Sequence, residues 1–145
     1  MPGLEDLYRE IILDHYKNPR NRGELPPPAV RTEGHNPLCG DEIEVYLQVE
    51  DGVVTDVRIG GQGCSISQSS ASMMSAAVKG KKVDDVRALV NRFKNMMSIE
   101  EGEPDASVSL GDLEALQGVV KFPVRIKCAV LAWNTLAEGL DTAGA

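Results

Sequence analysis

The chain has 145 residues, 42% of them hydrophobic and 26% charged, with a formal net charge of -7. That length suits one domain with its own core and is short for two, and the composition is that of a folded protein rather than a disordered one. The acidic balance excludes nonspecific affinity for nucleic acid or an anionic membrane surface, so protein partners are expected.

The opening stretch MPGLEDLYREIILDHYKNPR has neither the apolar run nor the small-residue cleavage site of a secretory signal. No segment approaches a transmembrane span, so a cytoplasmic protein is expected. In a reducing compartment the cysteines would stay free, and their odd number, three, rules out complete intramolecular pairing. Metal or thiol chemistry is the better expectation.

Leu4, Leu7, Tyr8, Ile11, Ile12 and His15 recur at helical spacing, which predicts an amphipathic helix that Pro19 stops, with Tyr8 and Ile12 in the core. The run Leu25 to Pro28 reads as an extended connector. From Glu42 to Ile59 the period becomes two: Ile43, Val45, Leu47 and Val49, then Val53, Thr55, Val57 and Ile59, alternate with polar residues around the hairpin signal Glu50-Asp51-Gly52.

Both apolar sets must share a face. A two-residue Asp51-Gly52 loop would pair Glu50 with Val53 and set Val45 against Arg58, which violates that condition. A three-residue loop pairs Val49 with Val53 and Ile43 with Ile59, and places Asp41 opposite Gly61 and Cys39 opposite Gly63, next to Cys64. Either way the hairpin brings its two ends together.

After Cys64 a helix is expected, with Ile66, Ser70, Met73, Ala77 and Val78 on one face and Ser65 and Gln68 forming a capping box. Cys64 then sits at the positive end of a helix dipole, a setting that favours thiolate; the plainer alternative is a small buried residue beside a glycine turn. Val83 to Met97 is a second helix whose Met96-Met97 pair fills the core. The stretch EEGEPDASVSLGD reads as an acidic loop and Leu113 to Leu116 as a short helix. Pro123 opens a last helix on which Val124, Cys128 and Leu131 share a face, with Arg125 one turn before the cysteine. The expected fold class is α+β: a small antiparallel β-sheet with helices packed on one face, residues 1–145 forming a single domain.

Three thiols and one carboxylate make a tetrahedral zinc set if Cys128 folds back over the hairpin end. The spacing is not that of a zinc finger, because it contains no C-x-x-C. A divalent ion with four such anionic ligands carries a net negative charge and calls for nearby cations, for which Arg125 and Lys127 are candidates, or else they are ordinary helix surface. His35 is a fourth ligand, a hydrogen-bond partner or a loop residue; His15 is structural. Asp41 is the informative member: carboxylate oxygen is a harder ligand than sulfur and exchanges more readily, which suits a site that must open.

The stretches LYREIILDHYKNPRNRG, NPLCGDEIEVYL, GGQGCSISQSSASMM and LGDLEALQGVVKFPVRIKCAVLAW closely resemble the U-type iron-sulfur cluster assembly proteins across nearly the whole chain. An insert around Asn95 to Gly111 and a Lys, Lys127, where the IscU-like branch has a His, are similar to the SufU-like branch. The resemblance implies a zinc site of Cys39, Asp41, Cys64 and Cys128. Cys39, on the loop from Pro37 to Gly40, is the expected sulfur acceptor, to which the SufU-like branch also points while the IscU-like branch favours Cys128; Asp41 as exchangeable ligand and Arg125 in the docked state are expected to assist. It also implies a cysteine desulfurase as sulfur donor and a cluster-building complex as recipient. In the scaffold alternative Cys39, Cys64 and Cys128 hold iron or a 2Fe-2S cluster. A noncatalytic zinc-stabilised interaction domain is a further alternative, and a metal-free thiol hydrolase the weakest, since neither His stands in a nucleophile-base pattern.

Overall fold

The structure is a computed structural model that describes residues 2–37, 40–97 and 110–144, with side chains described from residue 8 onward. Helix α1 spans Pro2–Lys17, strands β1 Val30–Asn36, β2 Asp41–Glu50 and β3 Val53–Gln62 follow, and then come helices α2 Ser65–Val78 and α3 Val83–Met96. A 3-10 helix over Gly111–Lys121, longer than the predicted Leu113 to Leu116, leads into α4 Pro123–Thr142. The strands form one antiparallel sheet in the order β1-β2-β3, with α2 and α4 packed against it. This is the expected α+β architecture.

Helix α1 ends two residues before Pro19, as the missing N–H of proline requires. Its Tyr8 and Ile12 are half-buried rather than central. The deep core is Ile43, Val45 and Leu47 of β2, Val57 and Ile59 of β3, and Phe93 and Trp133, whose rings stack with centroids 4.4 Å apart. Met97 is fully buried and Met96 packs against the core.

The hairpin register differs from the expected one. Glu50 pairs with Val53 across a two-residue turn in which Asp51 (φ 52°) and Gly52 (φ 74°) are both left-handed, the type I′ geometry. The shared-face condition is met by a bulge instead of by a longer loop: Val49 pairs with Val54 but Gln48 with Asp56, leaving Thr55 as the extra residue. Its hydroxyl donates to the Gln48 carbonyl at 3.1 Å. Beyond the bulge Val45 faces Ile59, and Ile43 faces Gly61 rather than Ile59. One step further, this register brings Asp41 alongside Gly63, not Gly61.

Strand β1 carries no apolar alternation, and sequence patterning does not find it. Its inward residues are Thr32, Gly34 and Asn36. Helix α4 lies so close that a Cβ on Gly34 would fall 2.0 Å from Thr135 Oγ1, so the strand is held by backbone pairing and close approach rather than by large side chains.

Helix α2 is buried nearly all round, not on one face, because it contacts α1, β3, α4 and the 3-10 helix. Five serines, Ser67, Ser69, Ser70, Ser72 and Ser75, allow that closeness. Their hydroxyls find partners on neighbouring elements: Ser69 donates to the Ile12 carbonyl at 2.8 Å, and Ser70 donates to the Ala129 carbonyl while accepting the Trp133 indole N–H at 3.0 Å. Among the described residues no helix is long and apolar enough to cross a membrane.

Candidate metal centre

The start of β2, the start of α2 and the second turn of α4 meet at one point. There the ligand atoms of Asp41, Cys64 and Cys128 all lie within 4.8 Å of one another, the one such cluster of metal-ligating side chains among the described residues. Asp41 and Cys128 have no exposed surface, while Cys64 is half-buried. Cys39, predicted as a fourth ligand and as the sulfur acceptor, lies outside the described residues.

Each side chain is held by local backbone. Cys64 is the N-cap of α2: its backbone is extended and its sulfur accepts the Ser67 N–H at 3.5 Å, so the predicted capping box of Ser65 and Gln68 does not form. Gln68 instead sends its N–H to the Cys64 carbonyl at 3.1 Å. Asp41 Oδ1 accepts the Cys64 N–H at 2.9 Å, and Oδ2 lies 3.7 Å from Cys64 Sγ. That arrangement needs Gly63, because a Cβ there would meet Asp41 Oδ1 at 2.3 Å and Ser67 Oγ at 2.7 Å. Gly61 (φ 106°) is required as well, since a side chain would strike the Glu42 carbonyl.

Arg125 projects from the first turn of α4 to the thiols. Cys64 first and Cys128 second raise its pKa above the ordinary guanidinium value, by charge attraction and by hydrogen bonding to both sulfurs. It is the cation expected of an anionic site. Lys127 is exposed and forms no hydrogen bond or ion pair among the described residues.

His35 is not in the described cluster. It stands opposite Glu42 and is exposed, whereas the next pair, Asn36 and Asp41, is buried, so strand alternation puts His35 on the outer face of the sheet. His15 is buried and its Nδ1 lies 2.7 Å from Ser72 Oγ, a structural role. Sequence reasoning missed Ser67, for which the usable signal was its place three residues after an N-cap.

The donor set fits a zinc ion. Tetrahedral bonds of ordinary length put ligand atoms about 3.6–3.8 Å apart, which the 3.7 Å between Asp41 Oδ2 and Cys64 Sγ already matches. A fully buried carboxylate beside two cysteines is costly without a cation to compensate it.

A protein-family profile described as "NifU-like N terminal domain" matches residues 7–140. The chain is 48% identical over 137 residues to the zinc-dependent sulfurtransferase SufU of Bacillus subtilis, covering 94% of this chain and 91% of that one. It is 40% identical to the iron-sulfur cluster assembly scaffold protein IscU of Thermotoga maritima, covering 92% of each. The crystal structure of FiSufU from Fervidobacterium islandicum AW-1 superposes with a TM-score of 0.82 at 32% identity, covering 89% of this chain and 93% of that one.

Proposed function

From the fact that this chain belongs to the family of NifU-like N-terminal domains, we propose that it is a zinc-dependent sulfurtransferase of iron-sulfur cluster biogenesis. It accepts persulfide sulfur from a cysteine desulfurase and passes it to a cluster-building complex in the cytoplasm, residues 1–145 acting as one domain. The observation that carries this reading is the convergence of a fully buried carboxylate with two cysteines from separate helices.

Asp41, Cys64 and Cys128, with Cys39 two residues before Asp41 in the chain, are the proposed zinc ligands. Bound there, zinc would keep the thiols ionised and protected from disulfide formation. The chain's own groups do the rest. Cys64 N–H fixes the Asp41 carboxylate, Ser67 N–H holds the Cys64 sulfur, and the Arg125 guanidinium offsets negative charge on Cys64 and Cys128.

Cys39 is the proposed acceptor because Cys64 caps one helix and Cys128 lies within another, whereas in the sequence Cys39 falls after the last residue of β1 and before the first of β2. Its thiolate attacks the terminal sulfur of the donor persulfide. A new S–S bond forms on Cys39 as the donor's S–S bond breaks, the donor cysteine leaves as thiolate, and no outside oxidant or reductant is needed.

The test is a single turnover of the desulfurase with the zinc-loaded chain, alkylation without reductant, and mass spectrometry of the cysteine peptides. The extra sulfur is expected on Cys39, and finding it mainly on Cys128 overturns that assignment. The scaffold reading is favoured by the 40% identity to a cluster scaffold. It would displace the sulfurtransferase if no cysteine carries sulfur while iron and sulfide build a stable 2Fe-2S cluster on the chain.

A further inference from the structure

A groove of about 770 Å³ runs between α1 and the 3-10 helix and ends at the start of α2. Its apolar lining includes Ile12, Leu13, Ile66, Val119 and Phe122. Arg9, Lys121 and Arg125 also line it, and no carboxylate does so among the described residues. In a chain with 22 acidic and 15 basic residues that is a reversal of local charge. Arg9 and Lys121 form no ion pair among the described residues.

The apolar surface continues past the groove. The exposed large hydrophobic side chains among the described residues are Leu13 (40% exposed), Tyr16 (44%), Phe122 (62%) and Val124 (65%), all on α1 or at the junction with α4. A small molecule seated in the groove would leave Tyr16 and Val124, which do not line it, uncovered, whereas a protein segment can cover both. The groove also reaches the thiols: Ser65 and Ile66 follow Cys64 directly, and Arg125 belongs to both places.

We propose that this groove docks the sulfur-donating partner, by a surface segment of that protein whose apolar side chains are flanked by carboxylates. The inference rests on the sulfur-acceptor reading and names the chemistry of the partner's docking segment. Apolar side chains fill the space between Ile12 and Val119, and the carboxylates meet Arg9 and Lys121 at the rim. A second copy of this chain is the poorer occupant, because each copy carries -7 and the long-range field repels.

The experiment measures the Kd between the zinc-loaded chain and the cysteine desulfurase from the same source, for wild type, Leu13→Glu, Phe122→Ala, Lys121→Glu and, as a distant surface control, Lys94→Glu. Each groove variant is expected to weaken binding about tenfold or more. Lys94→Glu should stay at the wild-type value, and zinc content, thermal midpoint and sulfur uptake from a small-molecule persulfide should be unchanged throughout. Wild-type affinity should fall with added salt, and less steeply in Lys121→Glu. If wild type binds and takes sulfur but the groove variants bind equally well, the docking proposal is overturned and the sulfur-acceptor reading stands. If wild type neither binds nor takes sulfur, both fall. Concentration-dependent dimers abolished by Leu13→Glu, with desulfurase affinity intact, would assign the groove to self-association and also overturn the proposal.

Discussion

Asp41 turns one carboxylate oxygen to the Cys64 N–H and the other toward the Cys64 sulfur, so a backbone donor decides which oxygen faces the thiol. Gly63 makes this possible by having no Cβ at the place where Asp41 Oδ1 lies. Gly63→Ala is therefore expected to lower zinc affinity about 10- to 100-fold, the scale for losing a group that orients a ligand. It should cost far less when added to Asp41→Ala, since the carboxylate it displaces is then gone; competition with a chromophoric chelator reads both, and additive losses would remove the positioning role. His15 makes a separate residue-scale prediction. Burial, and secondarily Arg20, push its pKa below the ordinary value of 6.5, against smaller raising effects of Asp14 and Asp112. The unfolded chain thus takes up this proton before the folded one does. The contribution of neutral His15 is complete above pH 6.5 and is lost as pH falls through the folded value. Urea midpoints taken on both sides of that window should drop more for wild type than for His15→Gln, and equal drops would show that His15 is not responsible.

At the scale of elements, Phe93 of α3 stacks on Trp133 of α4, both without exposed surface. Trp133 is itself fixed by the Ser70 hydroxyl of α2. Phe93→Ala should cost about 3–5 kcal/mol in urea unfolding, as expected for truncating a fully buried aromatic. A loss below about 1 kcal/mol would mean that the site collapses to fill the space and that the stack carries little. The hairpin shows another element-scale effect. The turn Asp51-Gly52 prefers two-residue geometry, and the strands require Val45 and Ile59 on one face; the two demands conflict by one residue, and the bulge at Thr55 reconciles them.

For the whole molecule, the candidate ligands lie at the end of the sheet and helices, and one contiguous core runs beneath them from Ile43 to Leu140. The core is built from residues other than these ligands, so the fold is expected to persist without the metal. Removing zinc with a chelator should leave the helical circular dichroism in place while lowering the melting temperature. Zinc at 100 times its Kd adds about 2.7 kcal/mol if the unfolded chain does not bind it. Loss of helical signal in the metal-free chain would return zinc to the purely structural role of the interaction-domain alternative.

Local patterning was enough to place the α-helices, to show that the hairpin exists, and to name the residues from which a metal site had to be drawn, while the 3-10 helix runs longer than its pattern. Each of these is written in local periodicity or in rare residue types: period two around Asp51-Gly52, a proline after α1, and three cysteines with one nearby aspartate. Cys39 lies outside the described residues, and its part in the site remains a proposal. Tertiary structure alone decided the rest. Strand β1 is held by its pairing with β2 and by the close approach of α4 to Gly34, contacts that leave no apolar pattern in its sequence. The position of Asp41 followed from a bulge resolving two local preferences, and that of Arg125 over two thiols from the packing of α4 beside the start of α2. His35, close to Cys39 in sequence, stands on the opposite face by the alternation of β1, whose pairing with β2 its own sequence does not announce.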